Sequence, residues 1–196
     1  MSRSIRPLLS LLLLFTVGLG LVYPAAVTGF ARLAFPAKAR GSIVTTEQRA
    51  VGSVFIGQEF TRPEYFWGRP SATAPTGYNA AASAASNLGP LNPALREVVG
   101  ARIEALRRVD PTNRGPVPID LVTASASGLD PHLSPAAALY QVGRVTHARG
   151  LPEQAVRRLV EEHVEGRWPG MFGERRVNVL LLNLALEAMA QGEAKL

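Results

Sequence analysis

The sequence lacks cysteine altogether. This absence excludes disulfide bonds, thiolate zinc sites, cysteine nucleophiles and lipid attachment through cysteine. Lysine is almost missing too, and neither Lys38 nor Lys195 ends a glycine-rich loop. No GxGxxG motif opens a helix after a predicted strand. The sequence therefore carries neither of two common loops that cradle nucleotide phosphates.

Acidic side chains are absent from the first 40 residues, which contain five basic ones. Residues 41–196 contain the remaining 16 basic and all 15 acidic side chains, so this part of the chain is nearly neutral. Binding to nucleic acid needs a basic face that neutralises phosphates. The pI of about 10.5 thus reflects the N-terminal segment, and we predict no nucleic-acid partner.

Charge of either sign is absent between Arg6 and Arg32. A helix over these 25 residues, 7–31, would be about 37 Å long, against about 30 Å of bilayer hydrocarbon. The run shows no polar stripe of the kind that a soluble helix carries. We therefore predict a transmembrane helix over about residues 7–31, with a lipid bilayer around it. The alternative is a cleaved secretory signal, whose apolar core is normally only about 7–15 residues long.

The charges that flank this helix do not fix its orientation. Arg3, Arg6 and the amino terminus precede it, and Arg32, Lys38 and Arg40 follow it. The positive-inside rule, which compares these two flanks, returns a tie. A retained helix and a cleaved signal would each deliver the rest of the chain out of the cytoplasm.

Small residues and one proline occupy the second half of the predicted span. Thr16 and Gly20 are four residues apart, as are Ala25 and Gly29, so each pair lies on one helix face. Small residues at this spacing let another helix approach closely, although they are also common in membrane helices generally. Pro24 removes one backbone hydrogen bond, and we expect a kink there. These five residues form our predicted contact face for a partner helix.

Beyond the span, the chain has room for one compact domain. We divide the chain into an N-terminal segment (1–34), a connector (35–50) and a domain (51–196). Cap residues and apolar periodicity predict strands and helices in the domain. The predicted strands are 51–57, 119–123 and 176–182, and the predicted helices are 93–110, 134–150, 151–166 and 183–190. The fold class is α+β, with α/β as the alternative: one N-terminal transmembrane helix followed by a single mixed helix/strand extracytoplasmic domain.

Residues 60–93 are rich in glycine, proline, serine, alanine and asparagine, which is typical of a loop. Three adjacent aromatic residues, Tyr65, Phe66 and Trp67, interrupt this composition. Disordered segments are poor in aromatic residues. We therefore predict an ordered loop that packs on the domain.

Hydroxyl, carboxylate and imidazole groups cluster after the strand predicted at 119–123: Ser125, Ser127, Asp130 and His132. These residue types suit a serine hydrolase, but the glycines of a nucleophile elbow are missing and triad members normally come from distant positions. We interpret the cluster as a turn whose side chains cap backbone groups. No two histidines have a metal-binding spacing, so we predict no metal site and no catalytic residue. A membrane-anchored extracytoplasmic hydrolase that uses Ser125 or Ser127 is the alternative function.

Several runs that composition does not explain resemble a known family. They are Gly57-Gln58, Tyr65-Phe66, Gly68-Arg69-Pro70-Ser71-Ala72, Tyr78-Asn79-Ala80-Ala81-Ala82-Ser83, Ser86-Asn87-Leu88-Gly89-Pro90, Asn92-Pro93, Thr123-Ala124-Ser125, Ser127-Gly128-Leu129-Asp130-Pro131-His132, Ser134-Pro135, Gln141-Val142, Arg144-Val145, Val177-Asn178 and Leu182-Asn183. The family is the C subunit (KdpC) of the Kdp potassium-transporting P-type ATPase, and the similarity extends over nearly the whole chain. Ala84-Ala85 departs from it, because the family often has glycines there.

The resemblance implies a non-catalytic accessory subunit of a high-affinity, ATP-driven potassium pump in the bacterial inner membrane. Its N-terminus would be cytoplasmic and its domain periplasmic. Its implied partners are a channel-like potassium-translocating subunit and a P-type ATPase subunit, with a small single-span subunit as a further candidate. ATP and K⁺ would belong to the complex, and we expect no cofactor on this chain. We predict that loops near the outer ion entrance contact a partner through Tyr65, Phe66, Arg69, Ser71, Tyr78, Asn79, Ser86, Asn87, Ser125, Ser127, Asp130 and His132.

The family is also described as a catalytic chaperone that raises the ATP affinity of the pump subunit, with a direct nucleotide contact proposed. Gln141 is the family-matched polar residue that this description would link to nucleotide binding. However, a domain outside the membrane does not meet cytosolic ATP, and the chain has no phosphate loop. We therefore expect an indirect effect, through assembly or through coupling across the membrane.

Overall fold

The computed structural model describes residues 2–46 and 48–193, and the chain divides into two compact units, Met1–Val51 and Gly52–Leu196. In the first unit, the helical segment Ile5–Ala34 has 30 residues and a mean hydropathy of 2.1. None of its most apolar stretch is buried within the protein. The segment is thus long and apolar enough to cross a membrane, as the sequence predicts.

This apolar segment is not a uniform α-helix. Helix α1 (Ser2–Val17) and helix α2 (Tyr23–Ala34) are joined by a π-helical turn, Gly18–Val22. In this turn the backbone N–H of Tyr23 donates to the carbonyl of Gly18, five residues back. The next residue, Pro24, has no N–H to donate. The wide turn therefore lies immediately before the proline at which the sequence predicts a kink.

The segment predicted as a connector contains regular structure. Helix α3 (Pro36–Ala39) follows α2 after one residue. Strands β1 (Ile43–Thr46) and β2 (Arg49–Ser53) then form a two-stranded sheet. The strand predicted at 51–57 is thus only partly right, because β2 begins earlier and ends at Ser53.

The second unit combines helices with a small sheet. Its helices are α4 (Pro93–Val109), α5 (Pro135–Tyr140), α6 (Val142–Arg149), α7 (Glu153–Glu162) and α8 (Val179–Glu193). Its strands β3 (His132–Leu133), β4 (Val164–Glu165) and β5 (Arg176–Asn178) pair antiparallel in the order β3-β5-β4. A small antiparallel sheet beside segregated helices defines an α+β fold. The predicted mixed helix/strand class is confirmed.

One apolar core holds the second unit together. Helix α7 contacts α5, α6 and α8, and β5 lies between its two partner strands. The core side chains with no exposed surface include Val142, Val145, Val156, Val160, Val177, Leu182 and Leu186. Phe66 joins them from residues 54–92, a segment that the structure describes completely and that contains neither helix nor strand. The prediction of an ordered, packed loop is confirmed.

Several predicted caps are confirmed, but one predicted helix is two. Asn92 accepts a hydrogen bond from the N–H of Ala94, and Ser134 accepts one from Ala137. The left-handed Gly150 (φ 68°) ends α6, as C-terminal glycines do. The single helix predicted at 134–150 is interrupted at Gln141, between α5 and α6.

One predicted strand is wrong, and another is only partly right. Residues 119–123 contain a 3₁₀ turn, Ile119–Leu121, which follows Pro118. The strand predicted at 176–182 ends at Asn178, whose side-chain oxygen accepts the N–H of Leu181 and so opens α8. Short apolar runs do not distinguish a strand from a buried helix, and here the helix prevails. The predicted cap Asn183 consequently lies inside α8, and α7 ends at Glu162 instead of reaching residue 166.

Candidate functional site

Two side-chain amides hold the backbone of the aromatic segment 65–67. The oxygen of Asn183 accepts the N–H of Phe66 (2.8 Å), and its NH₂ donates to the carbonyl of Phe66 (3.0 Å). Gln141 does the same for Trp67, at 2.8 Å and 3.1 Å. Each amide thus takes the place that a neighbouring strand would occupy in a sheet. Phe66 has no exposed surface, so these bonds satisfy polar groups that water does not reach.

Arginines from α6 hold the same segment from another side. Arg144 donates to the carbonyls of Pro63 and Tyr65, and its guanidinium lies 4.3 Å from the centre of the Trp67 ring. Burial lowers the pKa of Arg144 to about 10. Arg149 donates to the carbonyl of Glu64 (2.7 Å). The 63–67 backbone is therefore fixed by side chains from two helices.

Tyr65 extends this attachment to α8. Its hydroxyl donates a hydrogen bond to the carboxylate of Glu187. The hydrogen bond to Glu187 is the main cause that raises the pKa of Tyr65, and burial adds to it. The guanidinium of Arg149 lies 5.0 Å from the centre of the Tyr65 ring. The predicted contact residues Tyr65 and Phe66 thus both anchor the loop to the domain.

Arg69 joins the long loop to the turn at 123–132. Its guanidinium pairs with Asp130 (3.1 Å) and lies within 3.5 Å of the carbonyls of Thr123 and Ala124. Burial alone would raise the pKa of Asp130, but hydrogen bonds from His132 and Arg69 outweigh it and hold this pKa below its usual value. The structure therefore brings together three predicted site residues, Arg69, Asp130 and His132, around one carboxylate.

Ser71 and Tyr78 form a second connection between the same loops. The hydroxyl of Ser71 donates to the carbonyl of Gly128 (2.7 Å) and accepts the N–H of Tyr78 (2.9 Å). The hydroxyl of Tyr78 donates to the carbonyl of Arg69, and burial raises the pKa of Tyr78 to about 12. A cavity of about 360 Å³ opens beside these residues. The loops 60–93 and 123–134 are thus one hydrogen-bonded surface, which we name the loop surface.

Ser125 and Ser127 serve this turn as backbone caps. Ser125 accepts the N–H of Gly128 (2.9 Å), and Ser127 accepts the N–H of Leu129 (3.1 Å). Within the described residues, no histidine is hydrogen-bonded to either serine, because the Nδ1 of His132 faces Asp130 at 3.4 Å. These bonds support the interpretation of the segment as a capped turn. They do not form the nucleophile–base contact that a hydrolytic triad requires.

The remaining predicted loop residues differ in their exposure. Asn79 is bound internally, since its side chain donates to the carbonyl of Ala74 and accepts the N–H of Ala81. Ser86 and Asn87 are exposed, and Asn87 has a left-handed backbone (φ 52°). Exposed polar residues on an ordered loop are suited to contact a partner. Contact between the loop surface and a partner stays a prediction.

Sequence reasoning missed the anchoring residues Asn183, Arg144 and Glu187 as functional partners of the loop. One signal was available: Asn183 interrupts the apolar run VLLLNLAL, and a buried amide in such a run needs a hydrogen-bonding partner. Gln141 is 1% exposed, and its amide is engaged by Trp67, Ala137 and Arg144. A role for Gln141 in nucleotide binding stays a prediction, but its amide has internal partners.

Other predicted features lie away from the loop surface. In the span, Ala25 and Gly29 lie together in α2, whereas Thr16 is in α1 and Gly20 in the π-helical turn. All four residues, and Pro24, are exposed in the chain alone. Among the described residues, no group of three or more His, Asp or Glu side chains is placed to hold a metal ion.

Comparison with known proteins gives one consistent result. Residues 5–188 match the model of the KdpC family, described as "K+-transporting ATPase, c chain". The potassium-transporting ATPase KdpC subunit of Polaromonas naphthalenivorans is 58% identical over 189 residues, which is 96% of each chain. The KdpC subunit of Dechloromonas aromatica is 56% identical over 97% of this chain and 100% of its own, and that of Herpetosiphon aurantiacus is 57% identical over 95% and 97%.

Proposed function

The chain belongs to the KdpC family of potassium-transporting ATPase subunits, and on that basis we propose that it is a non-catalytic accessory subunit that stabilises and assembles a high-affinity, ATP-driven potassium pump. The family match over nearly the whole chain carries this proposal. The fold adds support, because the catalytic-looking residues Ser125 and Ser127 are occupied as backbone caps. The partners in this proposal are a channel-like potassium-translocating subunit, a P-type ATPase subunit and a small single-span subunit.

The proposed location is the bacterial inner membrane, crossed once by Ile5–Ala34. The N-terminus lies in the cytoplasm and the second unit lies in the periplasm. The flanking charges are balanced, so this orientation follows from the family and not from the sequence pattern. In the span, Thr16, Gly20, Pro24, Ala25 and Gly29 contact a partner helix, since small side chains allow close packing in lipid.

The loop surface contacts the potassium-translocating subunit near its outer entrance. Three features support this placement: the surface consists largely of ordered loop, it presents hydroxyl and amide groups, and its charged pair Arg69–Asp130 is internally neutralised. Such a surface contacts a cation pathway without retaining the ion, because the carboxylate already has a cationic partner.

The effect on ATP is indirect. Gln141 is buried in the second unit and holds Trp67, so a nucleotide contact would require this segment to open. A subunit that orders its partners can raise ATP affinity by favouring the conformation that binds ATP. The contribution of this chain is therefore conformational, and ATP and K⁺ bind to other parts of the complex.

The first test is purification of the tagged full chain in mild detergent from cells that express the complex. We expect two large membrane proteins, one channel-like and one a P-type ATPase, to purify with it. Deletion of the chain should abolish potassium-stimulated ATP hydrolysis in the membrane fraction. A chain that purifies alone, from cells whose pump activity survives the deletion, would contradict the proposal.

The second test concerns the loop surface. Asn87→Gly keeps the left-handed backbone and removes the exposed amide, so the stability of the domain should not change. Loss of one interface hydrogen bond, about 1 kcal/mol, should weaken association with the partner about fivefold. Arg69→Ala should have a larger effect, because it also separates the two loops.

The control is Arg158→Ala, which removes an exposed charge on α7 without touching the loop surface. Retention of the subunit on the immobilised complex and potassium-stimulated ATPase activity are measured for all three variants. If Asn87→Gly and Arg69→Ala both behave like the control, the partner does not contact the loop surface.

A further inference from the structure

A tight hairpin joins β4 and β5 and carries an exposed apolar tip; we name residues 165–176 the aromatic hairpin. Trp168 and Phe172 form a two-way backbone pair, with N–H to carbonyl distances of 2.9 Å and 2.8 Å. A further turn bond runs from the N–H of Gly170 to the carbonyl of Arg167 (2.8 Å). The hairpin is therefore held by its own backbone bonds and presents its side chains outward.

The apolar side chains at the tip are largely uncovered. Trp168 is 77% exposed, Met171 74% and Phe172 64%. Other exposed apolar side chains of the second unit, such as Leu91 and Ile119, come from separate segments. A tryptophan, a methionine and a phenylalanine are thus all exposed within one five-residue turn, and exposed apolar patches mark interaction sites.

The charges around this tip have a net positive sign. Arg167 pairs with Glu174 (2.8 Å) and Arg176 pairs with Glu165 (2.8 Å), both across the hairpin. Arg175 adds a third cation, so the hairpin has three arginines and two glutamates. Tryptophan beside arginine is the combination found where proteins meet the headgroup region of a bilayer, because both side chains have an apolar body and a polar end.

We propose that the aromatic hairpin docks on the lipid headgroups of the membrane that the same chain crosses, with Trp168, Met171 and Phe172 entering the interface. Two observations select lipid as the occupant. The net positive charge of the hairpin, to which Arg175 contributes beyond the two ion pairs, complements anionic phospholipid. The chain between Ala34 and Gly52 tethers the hairpin to the apolar helix and so keeps it at high effective concentration near the bilayer. The inference rests on the membrane placement in the proposed function.

Such docking would also bear on the loop surface. A cavity of about 390 Å³ has Trp168 and Phe172 of the hairpin and Arg69 and Asp130 of the loop surface among its lining residues. A hairpin held at the headgroups therefore fixes the distance of the Arg69–Asp130 junction from the membrane. This gives the subunit a second attachment to the bilayer, besides its apolar helix.

The tip contains its own probe, because Trp67 and Trp168 are the two tryptophans of the chain. The full chain is placed in nanodiscs of phosphatidylcholine with phosphatidylglycerol as the minor, anionic lipid. The emission of Trp168 is obtained by subtracting the emission spectrum of the Trp168→Phe variant from that of the wild type. We expect lipids brominated near the headgroup to quench this emission by about half, and lipids brominated near the chain ends to quench it less.

Two variants sharpen the measurement. Met171→Asp should remove most of the quenching of Trp168, because a carboxylate at the tip opposes entry into an anionic interface. Leu91→Asp introduces the same charge at a residue that is 96% exposed in a different segment. It should leave the quenching unchanged.

The outcomes separate this inference from the proposed function. Full access of Trp168 to aqueous iodide, with no quenching by either lipid, would overturn the docking while vesicle flotation of the chain still supports its span. Protection from both iodide and brominated lipid in the assembled complex would mean that a protein covers the tip, and would also overturn it. Failure of the chain to float with vesicles would contradict both the docking of the hairpin and the membrane placement in the proposed function.

Discussion

Replacing Gln141 by leucine is expected to lower the free energy of unfolding by about 3–5 kcal/mol, although the two side chains are similar in size. In the wild type, the amide of Gln141 is hydrogen-bonded to the N–H of Trp67 (2.8 Å) and to the carbonyl of Trp67 (3.1 Å). Leucine leaves both of these backbone groups without a partner. It also deprives Arg144 of one acceptor. Urea unfolding of the detergent-solubilised full chain measures this loss, with the Trp168→Phe substitution as the common background so that the fluorescence followed is that of Trp67.

The chain offers a matched control for this substitution. Gln154 is an exposed glutamine on α7, so Gln154→Leu should change the stability by no more than about 0.5 kcal/mol. Asn183→Leu should resemble Gln141→Leu, because its amide binds Phe66 in the same way. Equal stabilities of Gln141→Leu and Gln154→Leu would show that the amide of Gln141 does not hold the aromatic segment.

The same variants distinguish an indirect effect on ATP from a direct one. If Gln141 acts by positioning the loop, Gln141→Leu and Asn183→Leu should lower the ATP affinity of the assembled pump to similar degrees. A loss of ATP affinity in Gln141→Leu alone, with Asn183→Leu equally destabilised but unaffected in ATP binding, would favour a direct contact with the nucleotide.

Gly128→Ala is expected to destabilise the second unit by about 2–5 kcal/mol. Gly128 has a left-handed backbone (φ +69°), which an alanine adopts at a cost. In addition, a Cβ at this position would lie 2.7 Å from the carbonyl oxygen of Ala84 and 2.7 Å from the Cγ2 of Thr73. The Ala84 oxygen belongs to the backbone of the facing loop, so the clash can be relieved only if the two loops move apart.

Gly150 separates the two causes of this loss. It has nearly the same backbone angle (φ +68°), but nothing lies within 4 Å of its added Cβ. Gly150→Ala should therefore cost only the strain, about 1 kcal/mol. Thermal unfolding of both variants gives the comparison, and similar losses for the two glycines would mean that the loops do not pack as closely as described.

The apolar span and several helix ends could be predicted because they depend on local rules. A charge-free run of 25 residues predicts a membrane helix wherever the rest of the chain lies. Asn92, Ser134 and Gly150 act on backbone groups within four residues of themselves. Such bonds need no knowledge of the tertiary structure.

The errors in the predicted strands have a physical cause. Residues 119–123 and 179–182 have the composition of strands, but a strand needs a neighbour with free backbone groups. The N–H of Val179 still donates to the carbonyl of Pro131 (2.9 Å), but the chain then continues as α8, whose apolar side chains enter the core. Tertiary context thus decides between helix and strand in short apolar runs.

The residues of the candidate site could be predicted, but the contacts between them could not. The resemblance identified Arg69, Ser71, Tyr78 and Asp130, which the structure connects through hydrogen bonds. No local pattern indicates that Arg69 meets Asp130, 61 residues further along the chain. Nor does one indicate that amides from α8 and from the break before α6 replace a strand beside Phe66 and Trp67.

The amide contacts of the aromatic segment have a consequence for biogenesis. Phe66 and Trp67 leave the ribosome long before their partners, which are 117 and 74 residues further along the chain. Translation proceeds from the N-terminus, so these two rings remain uncovered while the later helices are synthesised. A nascent chain thus exposes this apolar segment to chaperones and proteases until α8 has been synthesised. A chain truncated before α8 would leave the segment exposed.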